Sequence, residues 1–393
     1  MNKIVLFANT DWYLYNFRLS LACALRDAGH EVVLLSPPGE YGPRLRTLGF
    51  QWQPVPMIRR SLNPLREMML IAWLVRFLRR ERPDLVHGFT IKCAVYGSLS
   101  ARLAGVAARV NAVAGMGYVF SSRDMRARVL RPVVRSVMSM AMGCKGSIVI
   151  LQNPDDLRLF REANIIDENS IRVIKGSGVN MTRFKPRPEE AEPDRSAPLR
   201  VVLAGRLLWD KGIAEYVHAA RTLKGEGRSV RCILAGAPDP GNPASVDNAS
   251  LQEWIKEGSV EWLGHVSDMP ELFAHTDVAV LPSYREGLPK AMIEAAACAL
   301  PLIITDAPGC REVVSINGED GLIVPVGDSK TLADAIRLLD DDRVLCRKLG
   351  RAARQKALRE FDERIVIERT LAVYRELLEP APRTVPQSGS IAP

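Results

Sequence analysis

The segment Asp277-Val278-Ala279-Val280-Leu281-Pro282-Ser283-Tyr284-Arg285-Glu286-Gly287-Leu288-Pro289-Lys290-Ala291-Met292-Ile293-Glu294-Ala295-Ala296-Ala297 contains a strand, a loop and a helix in succession. Its apolar start, 277–281, predicts a buried strand. The Pro/Ser/Gly stretch predicts a loop, and Pro289 suits the first turn of a helix reaching about residue 300. Glu286 then lies in the loop and Glu294 on the helix. A strand feeding a glycine-containing loop and a helix start presents backbone N–H groups and a positive dipole end, which is where α/β folds hold phosphate. Glu294 sits about 7–8 Å along the helix axis from Pro289, so the two carboxylates need not share one small site. One can hold a sugar and the other a ribose, with a diphosphate between them. Taken alone, the pair also has a simpler explanation, as acids complementing a helix N-terminus.

A second stretch weighs against that simpler explanation. Val201-Val202-Leu203-Ala204-Gly205-Arg206-Leu207-Leu208-Trp209-Asp210-Lys211-Gly212 is another strand and loop opening a helix. Its forked guanidinium, Arg206, and its compact ammonium, Lys211, are the groups that meet a diphosphate.

Gly205-Arg206 with Lys211-Gly212, then Glu286-Gly287-x-Pro289 with Glu294, then Thr305-Asp306-x-Pro308-Gly309-x-Arg311-Glu312 follow one another over about 195–330. In that order they resemble the donor half of the retaining family 4 glycosyltransferases with a GT-B fold. The resemblance implies two Rossmann-like, doubly wound α/β domains facing across a cleft. It implies transfer of a sugar from a nucleotide-sugar to an acceptor with the anomeric configuration kept. It further implies that Glu286 contacts the donor sugar hydroxyls, Gly287 and Leu288 offer backbone N–H to the sugar, and Glu294 accepts from the ribose. Arg206 and Lys211, beside Gly205 and with the amides near Lys290 and Ala291, would stabilise the leaving diphosphate without a metal or other cofactor. Leu263-Gly264-His265-Val266-Ser267 resembles the family's segment near the nucleotide base, with Val266 in it. No protein nucleophile is evident on the acceptor side. Retention in the family is usually assigned to same-face attack by the acceptor hydroxyl, the leaving phosphate taking its proton.

The chain is long enough for two domains with separate cores. Its 47% hydrophobic and 25% charged residues describe an ordinary globular protein. Seven cysteines are scattered singly with no C-x-x-C pair, which argues for core thiols in a reducing compartment and against a disulfide framework or zinc site. The net charge of +8 is divided unevenly. Residues 1–185 hold 27 Lys+Arg against 13 Asp+Glu, a net +14, and 186–393 hold 26 against 32, a net −6. The basic half therefore expects an anionic partner. Residues 1–8 suit a first strand and not a secretory segment, since Asn9-Thr10-Asp11 ends the apolar run. The apolar run 68–78, broken only by Arg76, is too short to cross about 30 Å of hydrocarbon as a helix.

In the first half, a strand at 3–8, a helix at 14–28 ended by Gly29 and a strand at 31–36 open a doubly wound domain. The loop 10–18 falls where such folds keep their cleft. Many family members carry a glycine pair there; this chain has Tyr15, Asn16, Phe17 and Arg18. These can face an acceptor sugar, while Trp12, Tyr13 and Phe17 are equally explained as packing residues. Strands are expected at 83–89 and 107–118. Where many members place a histidine after the second of these, the chain has Ala114 and Gly115. His87, at the end of the preceding strand, is the substitute candidate, and its competing explanation is a structural histidine. Gly115 and Gly117 allow close backbone approach to a ligand. Basic helices are expected at 58–82 and 123–142, either lying on an anionic membrane or serving as core helices with a charged face.

Strands at 147–151 and 171–174 complete the first sheet, and the proline-rich, charged segment 185–198 reads as an interdomain linker. The second half repeats the architecture, with strands at 200–204, 231–236, 260–263, 277–281, 301–305 and 322–325, helices at 212–224 and 289–300, and a surface loop at 237–249. Asp328 or Ser329 caps a helix ending near 339, and Asp340-Asp341-Asp342 is a helix junction away from the cleft motifs, not a metal site. The expected domains are 1–185 for the acceptor side and 195–360 for the donor. A helix over 361–378 is expected to pack back on the first domain, and 379–393 to form a disordered tail.

Tyr13-Leu14-Tyr15-Asn16-Phe17-Arg18, Phe89-Thr90-Ile91-Lys92 with Tyr96-Gly97-Ser98, and Gly117-Tyr118-Val119-Phe120 look like the subgroup that builds bacterial surface polysaccharides. Its members add N-acetylhexosamines from UDP-sugars to polyprenyl-diphosphate-linked acceptors. That resemblance implies a nucleotide-sugar donor, a lipid-linked or other glycan acceptor, and a cytoplasmic enzyme peripheral on the inner face of the membrane. Two rivals stand beside it. A GT-B nucleotide-sugar epimerase or hydrolase would need catalytic acids or histidines facing the donor, and the chain has five histidines. A non-catalytic or nucleic-acid-binding module would use the basic half, but no aromatic-interleaved basic motif is present, so nucleic acid is not an expected partner.

Overall fold

The computed structural model describes residues 1–59, 61, 63–113, 125–188 and 197–379. Thirteen strands among these residues form two sheets. The first contains β1 (Lys3–Phe7), β2 (Glu31–Ser36), β3 (Gln51–Pro54), β4 (Leu85–Phe89), β5 (Ala108–Val113), β6 (Ser147–Leu151) and β7 (Ile171–Val173). The second contains β8 (Leu199–Ala204), β9 (Val230–Ala235), β10 (Glu261–Trp262), β11 (Val278–Leu281), β12 (Leu302–Thr305) and β13 (Leu322–Val324). Spatial order is β3-β2-β1-β4-β5-β6-β7 in one and β10-β9-β8-β11-β12-β13 in the other. Neighbouring strands run parallel, as in Ile4 opposite Val32 and Leu85, or Val201 opposite Cys232 and Val278.

Parallel strands covered by helices on both faces must be apolar throughout. That is why Val32-Val33-Leu34-Leu35 and Val278-Ala279-Val280-Leu281 are buried along their whole length. Each sheet carries a packed apolar layer on either face: Leu203, Tyr216 and Leu332 on one side of the second sheet, Leu281, Ile293 and Ala353 on the other. Both orders reverse direction between the first and fourth strands of the sheet, the place where doubly wound domains bind ligands.

The last helix, Glu363–Leu378, leaves the second half and buries Val366, Val373 and Tyr374 against Ile4, Leu6 and Phe89 of the first. Its entry is stitched to the crossing segment: Val179 N–H donates to Phe361 O (2.8 Å) and Glu363 N–H to Val179 O (3.0 Å). The Glu363 carboxylate accepts from Ser20 Oγ (2.6 Å) and Asn180 Nδ2 (2.7 Å).

Several local expectations differ from the structure. Residues 10–18 are not an open loop: Thr10 caps a helical turn, Asp11–Tyr13, that continues through a π-helical turn, Leu14–Arg18, into Leu19–Asp27. The first basic helix begins at Pro64, not at 58, because Asn63 Oδ1 caps it by accepting from Leu65 N–H (3.1 Å) and Pro64 needs no donor partner. The second spans Met125–Met142. A helix at Asn248–Lys256, with Asp247 as its cap, extends beyond the expected surface loop, and Met269–Ala274 is a further short helix. Both bury only two side chains, too few to set an apolar period in the sequence. Asp342 caps the next helix, and Asp340 and Asp341 pair with Arg228. Gly115, Gly117, most of the expected linker and the tail beyond 379 lie outside the described residues.

Tyr374 OH meets His87 Nδ1 at 2.5 Å in a site with no water access, 287 residues apart in the chain. Tyr374→Phe is expected to cost about 1–3 kcal/mol, the penalty for stranding a buried polar partner. A lower denaturation midpoint of the first domain is the readout.

Candidate active site

β8 runs into residues 205–212 and β11 into 282–289, so both loops emerge side by side at the reversal point of the second sheet. They are locked to each other by backbone. Gly212, in the left-handed region (φ 74°), follows a tight turn at Trp209–Lys211, and a Cβ there would lie 2.1 Å from Pro282 O. Tyr284 N–H and Ser283 Oγ both donate to Asp210 O (each 3.0 Å). The third motif closes the ring. Thr305 Oγ1 donates to Ser283 O, and Glu286 N–H donates to Pro308 O at 2.9 Å. Gly309 (φ 78°) approaches so closely that a Cβ would stand 2.3 Å from Glu286 O. The three sequence motifs are therefore one interlocked structure.

At its centre the Lys211 ammonium is ion-paired with the Glu286 carboxylate, their side chains 21% and 11% exposed. The helix Lys290–Ala297 starts immediately beyond, at Pro289, with no side-chain cap on its first amides. Arg206 does not join this pair. It is held by Asp239 at 2.7 Å, and Asp239 is fixed in turn by Asn242 Nδ2 (3.2 Å). Gly205 precedes it at the strand end, where Gly236 packs against its carbonyl. Val266 is half-buried against the second core.

Glu294 is buried, and that burial pushes its carboxyl up to about 7 even though Lys290 and Arg183 pull it down. Lys290 stands 3.9 Å from Glu294, and burial lowers its own ammonium. Its side chain crosses to the first domain, donating to Asn16 O (2.9 Å) and lying 4.4 Å from the centre of the Phe17 ring. Ala291 follows it in the first helical turn.

On the acceptor side, Tyr15 leans on Tyr41 (5.1 Å between rings) and Asn16 Nδ2 bonds Trp12 O (3.0 Å). Arg18 is buried, donates to Tyr13 OH (3.1 Å) and stacks 4.3 Å above Phe89. Trp12 remains 40% exposed while Tyr13 and Phe17 stack, so this aromatic helical turn packs and faces solvent at once. His87 requires a correction. It is 1% exposed, wedged between Phe89 and Tyr374, and burial drives its imidazole well below the usual range. A side chain closed off by the last helix cannot reach a reacting sugar, so the structural explanation holds. Gly115 and Gly117 lie outside the described residues.

Two groups of residues had no counterpart in the sequence reading. Asp239 sits in a Pro/Gly-rich loop and has no motif signal. Asn153 and Asp156 read as a helix start, Asn153-Pro154-Asp155-Asp156, and only the fold brings them to the donor loop: Asn153 Nδ2 donates to Gly287 O (2.7 Å), and Asp156 is ion-paired with Arg285. Leu288 packs over Gly176, on the segment between the sheets.

Comparison with known proteins agrees with this geometry. A pattern described as a glycosyl transferase 4-like domain matches residues 16–176, and one described as glycosyl transferases group 1 matches 186–356. The N,N'-diacetylbacillosaminyl-diphospho-undecaprenol alpha-1,3-N-acetylgalactosaminyltransferase of Campylobacter jejuni is 32% identical over 375 residues, covering 93% of this chain and 96% of that protein. The UDP-Gal:alpha-D-GlcNAc-diphosphoundecaprenol alpha-1,3-galactosyltransferase of Escherichia coli is 25% identical, with 74% and 75% covered. The crystal structure of Anabaena HepE with UDP-glucose superposes with a TM-score of 0.76 over 95% of this chain and 100% of that one, at 21% identity, a likeness of fold. The interlocked donor motifs, the paired doubly wound sheets and these relatives agree: the chain belongs to the family 4 glycosyltransferases of the GT-B fold, enzymes of bacterial polysaccharide assembly.

Proposed function

We propose that this enzyme transfers an N-acetylhexosamine from a UDP-sugar to a polyprenyl-diphosphate-linked glycan with retention of configuration. The observation that carries the reading is the Lys211–Glu286 pair standing beside the uncapped start of the helix Lys290–Ala297. Cleaving a sugar–phosphate bond places new negative charge on the departing diphosphate, and groups already aimed at it lower the barrier. Lys211 and the first helical amides are fixed there by backbone; Arg206 joins by exchanging Asp239 for phosphate. Glu286 then accepts from sugar hydroxyls, Leu288 and Gly287 donate N–H to the sugar, and Glu294 accepts from the ribose. This set of cations supplies the charge that a metal would otherwise supply, so chelators are expected to leave the rate unchanged. The sugar and acceptor class are supported by the Campylobacter relative, whose name records N-acetylgalactosamine and an undecaprenyl diphosphate.

The membrane partner is part of the same proposal. On the helix Pro64–Glu81, Leu65, Met68 and Met69 are 70%, 65% and 63% exposed and lie on one face with Arg76 and Arg79. Val133 and Met140 are similarly bare on Met125–Met142. Apolar side chains flanked by arginines suit an anionic bilayer surface, and no helix among the described residues is long and apolar enough to cross one. The enzyme is read as acting from the cytoplasmic face.

Glu286→Ala, Arg206→Ala and Lys211→Ala are each expected to lower kcat/KM by about two orders of magnitude or more while circular dichroism stays unchanged. Near-full transfer by all three refutes the donor site. Because only ionised Glu294 is a strong acceptor for the ribose, affinity for the UDP-sugar should fall about tenfold per pH unit below the Glu294 midpoint. Glu294→Gln should flatten that dependence in calorimetry. The same raised carboxyl makes Glu294 favour folding at low pH, a contribution lost as pH climbs through about 7. Met68→Asp with Met69→Asp should abolish flotation with anionic liposomes at low salt and leave turnover of a water-soluble acceptor analogue intact.

A further inference from the structure

We propose that Asn153 and Asp156, on the first domain, are positioning residues of the donor site: Asn153 holds the Gly287 carbonyl and Asp156 the Arg285 guanidinium, so the chain on either side of Glu286 is fixed from the other domain. The inference rests on the reading of Glu286 and the Leu288 amide as sugar contacts.

Asn153 is fully buried and ends the strand-to-helix turn before Pro154–Glu162. Its Oδ1 accepts from Asp156 N–H at 2.7 Å, the ordinary work of a helix cap. Serine, threonine or aspartate would do that equally well. What asparagine adds is an amino group, and both of its hydrogens are used: Nδ2 donates to Asp156 Oδ2 (3.0 Å) and, across the cleft, to Gly287 O (2.7 Å). A peptide is planar, so fixing the Gly287 carbonyl also fixes the direction of the Leu288 N–H on the other side of the same bond. Leu288 is held further by its side chain, which packs on Gly176.

Asp156 acts on the other flank of Glu286. It has no solvent exposure; one oxygen faces Asn153 and the other is ion-paired with Arg285. Burial pushes this carboxyl up, with Arg285 and Asn153 opposing the push. An isolated buried carboxylate would be costly, so the pair forms only if the guanidinium comes with it. Around this core, Arg311 bridges Asp155 (3.3 Å) of the first domain and Asp306 of the second. From its own domain, residues 285–288 are held at Glu286, by Lys211 and by Pro308 O, and at Arg285 O, which accepts from Ser283 Oγ (3.3 Å). Asn153 and Asp156 add constraints at Gly287 O and at the Arg285 guanidinium, away from Glu294 and Lys211.

Asn153→Ser keeps the cap and deletes both donations of Nδ2, the one to Gly287 O across the cleft and the one to Asp156 Oδ2. The expected result is a modestly lower midpoint of denaturation, as for any buried acceptor that loses its donor, unchanged UDP affinity, and a kcat at least tenfold lower, about 1.4 kcal/mol in barrier. Asp156→Asn and Arg285→Gln should each lower kcat, and together should lower it no further than either alone, as a coupled pair requires. Parent-like kcat in Asn153→Ser, or additive losses in the Asp156/Arg285 cycle, overturns the clamp. If Glu286→Ala is inactive in the same assay, that outcome leaves the donor-site reading standing; if Glu286→Ala is active, the donor-site reading itself has failed. A Gly287→Ala control is unnecessary, because Asn153→Ser leaves every donor-domain residue in place.

Discussion

The ion pair between Lys211 and Glu286 is the constraint around which the donor domain is built. The two residues are 75 positions apart and come from different strand ends. Neither loop could hold a charge in so enclosed a place by itself. Gly212 lets one chain pass against Pro282, Gly309 lets another pass against Glu286, and Asp210 ties Ser283 and Tyr284 between them. The family motifs are spaced along the sequence but are in contact in space, and their glycines are the points where backbone meets backbone.

That rigidity contrasts with Arg206, which is more than half exposed and held by Asp239. A cation parked on an aspartate can exchange partners at modest cost because solvent screens the exchange. Lys211 cannot leave as easily. In the proposed donor site this combines a preset charge with a recruitable one, which suits a reaction whose negative charge grows on the leaving diphosphate only as the bond breaks.

The two domains differ in what they offer. The second half is net acidic, with Lys211 fixed on Glu286 and Arg206 held at the surface by Asp239. The first half is basic, with arginines and bare methionines along exposed helices. They are joined by the last helix, which seals His87 inside the first core, and by a cleft where Lys290 reaches Asn16 and Asn153 reaches Gly287.

Most of the fold could be read from local pattern. Buried parallel strands are continuous apolar runs, and helix starts announce themselves with Asp328 or Pro289. The family motifs were legible for a related reason: they place glycine, lysine, arginine and glutamate at short spacing after a strand. The helices Asn248–Lys256 and Met269–Ala274 were not, because two buried side chains leave no period to detect. Nor was the fate of His87 or Arg18. A histidine at a strand end has the same sequence signature whether it faces a cleft or a packed helix, and only the return of Tyr374 from the far end of the chain made it a core residue. The sequence by itself determined twelve of the thirteen described strands, the family motifs and the uneven charge, since each depends on residues near in the chain; the edge strand Gln51–Pro54, with only Trp52 buried, left no apolar run to read. Tertiary structure alone decided that Asp239 holds Arg206, that Tyr374 covers His87 and that Asn153 grips Gly287, because those partners are distant in sequence and no local rule connects them.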